Sequence, residues 1–391
     1  MESSTSNRVW KFSRSHDETF VECPRKAYLE YYYGGKGIVP KKLDIYQATG
    51  SLTHTILQSV MQIAKVSGAL PDPTIMDAIC VKAVSDYRVQ VEEVGLTEVS
   101  GELELEMQRQ TALAEGLARV WTKYRLPQIL EDYEIVAVEE EHEIPFGPGQ
   151  VLMSRLDGVL RRKVDGELFA GPEFKTTGWI NDEYIESWRY STQTLSHTLD
   201  VVAKYGKEPA GVMMEFLYKG FKKKNKDTGE VVYYSPLVRA YRMVDEFGGE
   251  VYGFDSGLSR KKDWKVFDAY TMGMGPWIEQ LPQEVAEGVL FNTTIYRSPV
   301  ELEEWKRQVS LRQGRIQAGL IMLTEDKPTE AAADDIMAQI FPARLDKYCV
   351  SNMYRKKCPY LDVCFHKVSD PIESGMFVER TPHHPSEFDD E

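Results

Sequence analysis

The sequence predicts an α/β protein in which helical segments lie before and after a central group of strands. Residues 1–131 carry the apolar spacing and the capping signals of helices. At Tyr133 the pattern changes to short segments with the length and alternation of strands. After residue 260 helical spacing returns. We therefore expect one α/β core with helical elaborations at its N- and C-terminal ends.

The N-terminal region contains several helix signals. Ser15 followed by Glu18 is a capping-box pattern, and Gly34-Gly35 lets the chain turn where the next helix ends. The face that carries His54 has apolar residues at helical spacing. Helices are predicted over 20–33, 45–66, 74–94 and 103–131.

The central region alternates strands with one helix. Asp165-Gly166 between the second and third strands is a strong hairpin signal. A helix over about 182–205 follows the third strand. Strands are predicted over 133–145, 150–164, 167–175, 210–219 and 230–243.

The C-terminal region begins with helical spacing. Ser298-Pro299 followed by Glu301 combines a capping box with proline at the first helical position, and it predicts a long helix to about Leu323. From residue 369 the chain is acidic and rich in Pro and His. We predict a disordered tail there, which is a candidate docking segment for a protein partner.

These changes in pattern divide the chain into five parts. They are an N-terminal helical region with the first cysteine and the histidine motif (1–131), a core with a basic hairpin (132–245), a helical region (246–345), a cysteine-rich segment (346–368) and the acidic tail (369–391). No apolar run has the length of a membrane span, and the N-terminus lacks the pattern of a secretory signal. A cytoplasmic location is the expectation.

The net charge is −14, from 61 acidic and 47 basic residues. An acidic balance by itself disfavours a nucleic-acid partner, which usually needs a basic surface. Local patches nevertheless decide where a polyanion docks, and Lys222, Lys223, Lys224 and Lys226 form one such patch. We predict DNA contact there, with a solvated loop as the alternative interpretation.

Asp157 and the triplet Glu173-Phe174-Lys175 form the central motif. Side chains alternate along a strand, so Glu173 and Lys175 point to one face, where a neighbouring strand can bring Asp157. Two carboxylates, an ammonium and the Phe174 carbonyl suit a Mg²⁺ or Mn²⁺ ion that assists phosphodiester hydrolysis. The alternative is chance, because Glu-x-Lys is common on solvated strands.

Two further residues strengthen the motif. His54 on the preceding helix could supply another metal ligand, and Gln193 on the helix after the Glu-x-Lys strand could reach the attacking water or a phosphate. Each in isolation is more often an ordinary core or surface residue. Their order along the chain, together with Asp157 and Glu173-Phe174-Lys175, favours a role in the metal site.

Four of the five cysteines form a second constellation. Cys349, Cys358 and Cys364 lie within 16 residues, and Cys23 lies far upstream. Four thiolates suit a [4Fe–4S] cluster or a structural zinc, and the spacing does not match the two close pairs of a compact zinc finger. The alternative is a set of unrelated buried thiols. Cys80 lies in an apolar helical stretch, so we predict that it is a core residue.

In order, these motifs resemble those of RecB-like PD-(D/E)XK exonucleases that carry an iron–sulfur cluster, including CRISPR-associated RecB-like nucleases and the AddB nuclease domain. The resemblance spans residues 15–366 approximately. It implies a restriction-endonuclease-like core with a mixed central sheet flanked by helices. It also implies metal ligands at His54, Asp157, Glu173 and Phe174, a catalytic Lys175, a positioning Gln193, and a cluster bound by Cys23, Cys349, Cys358 and Cys364.

The chain departs from that family pattern at two places. The family spacing of the last three cysteines is Cys-x2-Cys-x5-Cys, whereas eight residues separate Cys349 from Cys358 here. The family motif Gln-x-x-x-Tyr is Gln193-x-x-x-His197 in this chain. The first departure bears on the cluster type, and the second removes the tyrosine and its role.

The sequence therefore predicts a metal-dependent DNA exonuclease that acts on single-stranded or frayed ends, in recombination, repair or CRISPR-type DNA processing. The alternative is a nuclease-like module that binds DNA ends or a recombination partner without cleaving. A zinc-stapled interaction protein is a third hypothesis.

Overall fold

The computed structural model describes residues 9–41, 45–93, 101–224, 231–324, 328–350, 357–365, 368 and 370–382. The helices are α1 Arg14–Glu22, α2 Pro24–Ala27, α3 Ile45–Ser67, α4 Pro73–Glu93, α5 Gly101–Tyr124, α6 Leu126–Asp132, α7 Asp182–Ser187, α8 Thr192–Tyr205, α9 Met274–Gln280, α10 Gln283–Glu287, α11 Pro299–Thr324, α12 Glu330–Ile340, α13 Lys347–Val350 and α14 Leu361–Cys364. The strands are β1 Trp10–Ser13, β2 Ile38–Pro40, β3 Tyr133–Gly147, β4 Gln150–Arg162, β5 Leu168–Thr177, β6 Val212–Tyr218, β7 Phe221–Lys224, β8 Val231–Tyr234, β9 Arg239–Val244, β10 Glu250–Gly253, β11 Lys265–Asp268, β12 Leu290–Ile295 and β13 Phe377–Glu379.

The central sheet has six strands and is mixed. Its order is β1-β4-β5-β6-β12, and β3 pairs with β4 on the other edge of that strand. The pairs β1–β4 and β5–β6 are parallel, whereas β3–β4, β4–β5 and β6–β12 are antiparallel. The predicted α/β class, with a mixed sheet flanked by helices, is confirmed.

Helices cover both faces of this sheet. On one face, side chains of α3, α4 and α5 form a single apolar core with sheet residues that include Phe174 and Leu217. On the other face, α8 packs Val201 against Leu156 and Phe216. Because β5 is covered on both sides, each of its side chains is directed into one of two protein layers.

Two predicted helices are interrupted at proline. The helix expected over 20–33 breaks at Cys23, which is extended (φ −160°, ψ 109°), and the chain resumes as α2 and a π-helical turn, Tyr28–Tyr32. A residue before proline avoids the helical region, which explains the extended Cys23 before Pro24. The helix expected over 103–131 divides at Arg125 into α5 and α6, which has Pro127 in its first turn.

The C-terminal half contains more strand than the sequence predicts. The region 246–345, expected to be helical, includes β10, β11 and β12, and β12 forms an edge of the central sheet. The tail expected to be disordered from 369 is ordered over 370–382. There β13 pairs with β2, because Phe377 is buried and stacks on Tyr360 at 5.5 Å. Residues 383–391 lie outside the described part. None of the described helices is long and apolar enough to cross a membrane.

Candidate active site

The motif strands separate where their functional residues lie. β4 and β5 pair only from Val159–Ala170 to Arg161–Leu168, and the pairing stops before Asp157 and Glu173. Instead, the Asp157 carboxylate accepts a hydrogen bond from the Phe174 backbone N–H at 3.0 Å. The predicted proximity of Asp157 to the Glu-x-Lys strand is present, across a split in the sheet.

Glycines allow the backbones of β4 and β5 to approach closely beside this split. A Cβ on Gly158 would lie 2.9 Å from the Gly171 carbonyl oxygen, so the backbones approach too closely there for a side chain. Gly171 itself has φ 117°, a value that side chains of L-residues disfavour. β5 shifts its register against β6 between Ala170 and Glu173, which sets the direction of the Glu173 side chain.

Glu173 is buried at the sheet–α8 interface, and polar side chains lie around its carboxylate. Its carboxylate accepts hydrogen bonds from Lys175 Nζ at 2.5 Å and from Gln193 Nε2 at 2.6 Å. His197 Nδ1 lies 3.3 Å from its second oxygen. Burial alone would raise the pKa of this carboxyl, but the Lys175 charge and His197 hold the pKa below its usual value.

The pKa of Asp157 is shifted in the opposite direction to that of Glu173. Burial, and then the negative charge of Glu173, raise the pKa of its carboxyl. Two nearby carboxyls with pKa values pushed apart are typical of sites that handle protons and cations. A cation between them would offset the repulsion.

His54 reaches the same place from α3. Its Nε2 donates a hydrogen bond to the Phe174 carbonyl oxygen at 2.8 Å, because that carbonyl can only accept. In neutral imidazole this leaves the Nδ1 lone pair, which lies 3.6 Å from Asp157 Oδ2. The predicted ligands His54, Asp157 and the Phe174 carbonyl are therefore adjacent.

The start of α8 is fixed by its own capping contacts. Ser191 caps the helix by accepting from the Gln193 N–H at 3.2 Å. Arg297 donates to the Ser191 carbonyl and to Thr194 Oγ1, both at 2.9 Å. Gln193 Nε2 thus contacts Glu173, and the predicted positioning role of Gln193 stays a prediction.

Two site residues were missed by sequence reasoning, and one of them is His197. It is the fourth residue after Gln193, is buried, and lies 3.3 Å from Glu173. Burial lowers its pKa, which favours the neutral ring. The spacing Gln193-x-x-x-His197 was the signal, because both side chains fall on one face of a helix.

The other missed residue is Glu139 on β3. Within the described ranges, the one group of three or more His, Cys, Asp or Glu whose ligand atoms all lie within 4.8 Å of one another is His54, Glu139 and Asp157. Burial, and then the Asp157 charge, raise the pKa of Glu139 to about 7. Glu139 is one of several acids in 131–143, and no sequence signal distinguishes it from the others.

The four candidate cluster ligands lie on the N- and C-terminal segments, and the cluster itself stays a prediction. The Cys358 N–H donates to the Cys349 carbonyl at 2.9 Å. Burial raises the pKa of Cys364 to about 11, and the thiols of Cys358, Cys23 and Cys349 also contribute, so all four interact electrostatically. Cys80 is 2% exposed in the α3–α5 core, as predicted.

The predicted DNA-binding lysines fall in the β7–β8 hairpin. Lys222, Lys223 and Lys224 lie on β7, which pairs with β8. Their side chains, and the whole of Lys226, lie outside the described part, so their contact with DNA stays a prediction.

Comparison with known proteins identifies the family. A family model described as the PD-(D/E)XK nuclease superfamily matches residues 11–365. This range contains the whole central sheet apart from Trp10, the first residue of β1. A search of curated proteins gives no match. Enzymes of this superfamily are metal-dependent nucleases, and the carboxylate–histidine group has the ligand types that such a metal requires. The chain belongs to the PD-(D/E)XK nuclease superfamily.

Proposed function

We propose that this protein is a Mg²⁺- or Mn²⁺-dependent DNA exonuclease that acts on single-stranded or frayed ends. The observation that carries the proposal is the convergence of Asp157, Glu173 and Lys175 at the split between β4 and β5, with His54 beside it. A complete set of carboxylates with a lysine favours catalysis over simple binding.

The residues fit a hard divalent cation. Asp157, Glu173 and the Phe174 carbonyl would supply oxygen ligands, and His54 Nδ1 would supply nitrogen. Burial, and then the Glu173 charge, raise the pKa of Asp157, and a cation beside both carboxylates would stabilise their charged forms. When bound, such an ion lowers the pKa of water and neutralises charge on a phosphate.

Lys175 has the position of a catalytic group. Hydrolysis forms a bond from a water oxygen to phosphorus and breaks a bond from phosphorus to an ester oxygen. The water loses a proton, and the leaving oxygen gains one. The Lys175 ammonium, 2.5 Å from Glu173, can orient the water and stabilise the negative phosphate oxygens in the transition state. Gln193 would hold Glu173 in place during this step.

Exposed aromatic rings near the site support a single-stranded substrate. Trp179 lies just after β5 and is 60% exposed, and Tyr190 lies just before α8 and is 80% exposed. Unpaired bases stack on such rings, whereas a duplex hides its bases. The acidic net charge disfavours tight non-specific coating of duplex DNA.

We propose that Cys23, Cys349, Cys358 and Cys364 bind a [4Fe–4S] cluster, with zinc the less favoured metal. Among the described residues no three of these sulfurs lie within 4.8 Å of one another. Four sulfurs on one tetrahedral zinc would be about 3.8 Å apart. The support for the cluster is the spacing along the chain, which does not match the two close pairs of a compact zinc finger.

The proposal places the enzyme in the cytoplasm, in recombination, repair or CRISPR-type DNA processing. The acidic C-terminal tail is the proposed docking segment for a protein partner. These assignments rest on the family resemblance and on composition.

Substrates with and without ends test the proposed activity. Linear single strands labelled at the 5′ or the 3′ end, a blunt duplex, a frayed duplex and a closed single-stranded circle are incubated with Mn²⁺ or Mg²⁺. We expect degradation of linear single strands and frayed ends, with the circle intact. Cleavage of the circle would establish an endonuclease. Binding of ends without cleavage would support the non-catalytic alternative.

A further inference from the structure

Glu139 occupies an unusual position in β3. It lies opposite Asp157, between the pairs Val138–Gly158 and Glu140–Leu156. Residues directly opposite in an antiparallel pair have Cβ atoms about 4.5–5.5 Å apart. Glu139 also has φ 49°, in the left-handed region that non-glycine residues rarely adopt. Its side chain therefore does not follow the simple alternation of the strand.

The ligand atoms of Glu139, His54 and Asp157 are already gathered. They lie within 4.8 Å of one another in the structure. The Nδ1 atom of His54 lies 3.6 Å from Asp157 Oδ2. Glu173 does not belong to this group of atoms in the structure, and both Lys175 and Gln193 donate to its Oε1. Glu139 therefore adds to the site a carboxylate that the sequence motif does not contain.

We propose that Glu139 is a direct ligand of the divalent cation, together with His54 and Asp157. This inference rests on the proposed metal-dependent activity and adds a residue outside the Asp…Glu-x-Lys motif. Carboxylate oxygen and imidazole nitrogen are the ligand types that Mn²⁺ accepts, and Mg²⁺ takes the carboxylates.

The contacts of Glu139 leave it free to act in this way. Its carboxylate forms an ion pair with Arg155 Nε at 3.1 Å, and the Arg155 side chain is about half exposed. An exposed ion pair of this kind contributes little to stability. A cation would compete readily with Arg155, because it also offsets the repulsion between Glu139 and Asp157.

Mn²⁺ binding to the full chain tests the proposal without DNA. Titration followed by the electron paramagnetic resonance of free Mn²⁺ gives the affinity of each variant. Even residues that only support a ligand typically change metal affinity 10–100-fold. We expect Glu139→Gln to weaken Mn²⁺ binding at least tenfold. Glu141→Gln removes the same charge two residues away, from a side chain that also faces Arg155 at 3.7 Å, and should change affinity less than threefold.

Arg155→Gln separates a ligand from a structural partner. If Glu139 serves only to hold Arg155, Arg155→Gln and Glu139→Gln will weaken Mn²⁺ binding equally. If Glu139 is a ligand, Arg155→Gln removes its competitor, and Mn²⁺ will bind with equal or higher affinity. Thermal melting of each variant without metal reports folding.

The proposal is overturned if Glu139→Gln binds Mn²⁺ within threefold of the wild type or like Glu141→Gln, or if a fall in affinity accompanies loss of the folded state. Failure of the proposed function has a different signature. In that case Asp157→Asn would leave the protein's behaviour towards DNA unchanged, whatever the result for Glu139.

Discussion

The His54 ring donates from Nε2 to the Phe174 carbonyl oxygen at 2.8 Å and so ties α3 to the strand that carries Glu173 and Lys175. The hydrogen bond fixes the tautomer, which turns Nδ1 towards Asp157. The position of α3 therefore controls one ligand of the proposed metal centre.

Gly50 sets the distance between α3 and β5. A Cβ at this position would lie 2.9 Å from Thr176 Oγ1. We expect Gly50→Ala to push α3 away, displace His54 and lower DNA cleavage on the order of 100-fold, as misplacement by about 1 Å can do. The double variant Gly50→Ala/Thr176→Ala should recover most of the rate. Wild-type cleavage by Gly50→Ala would contradict this role.

The ring of Trp188 lies beside Lys175, the proposed catalytic lysine. The Lys175 Nζ is 5.2 Å from the centre of its ring. A cation–π contact of this kind contributes about 0.5–2 kcal/mol, so losing it should lower kcat roughly 2–30-fold. We expect Trp188→Leu to show that loss and Trp188→Phe to retain more of the rate. Equal kcat values for the two variants, with equal melting temperatures, would exclude the contact as a contributor.

Glu215 should give the protein a distinct pH dependence of stability. Its carboxylate is buried beside Arg125 at 2.9 Å. Burial outweighs that pairing and raises its pKa from 4.5 to about 7. The stability from the protonated form is thus complete below pH 4.5 and is lost as the pH rises through 7.

Glu215→Gln lacks this titration and serves as the reference. The free energy of unfolding of the wild type, minus that of Glu215→Gln, should fall on the order of 3 kcal/mol between pH 4.5 and 8. Denaturant melts at each pH measure the difference. A difference that is constant, or that rises with pH, would mean that Arg125 keeps the carboxylate charged.

The proposed iron–sulfur cluster predicts a visible absorbance of the purified protein. Protein purified without oxygen should be brown, with broad visible absorbance and about four irons per chain. Cys23→Ser should lose most of the colour, whereas Cys80→Ser, in the helical core, should keep it. Stoichiometric zinc in colourless protein would replace the cluster with a zinc site, and absence of both metals would exclude either.

The motif residues were predictable because their chemistry follows regular periods. Alternation along a strand places Glu173 beside Lys175 and turns Phe174 to the opposite core. Helical spacing likewise predicts that Gln193 and His197 share a face, although only the structure gives their common partner, Glu173.

The residues that were missed depend on long-range or irregular geometry. Glu139 enters the site through a left-handed backbone conformation and through its register opposite Asp157, neither of which has a local signal. β12 was missed because a six-residue strand between helices resembles a loop until it pairs with β6. β13 depends on the stacking of Phe377 on Tyr360.

The most direct test of the nuclease site is the hydrolysis of end-labelled single-stranded DNA in Mn²⁺ or Mg²⁺ by the wild type and by Lys175→Ala. We predict metal-dependent degradation by the wild type and a loss of several orders of magnitude in the variant, because the proposed role of Lys175 is to stabilise the reacting phosphate. Equal degradation by both proteins, or none by either when both are folded, would contradict the account.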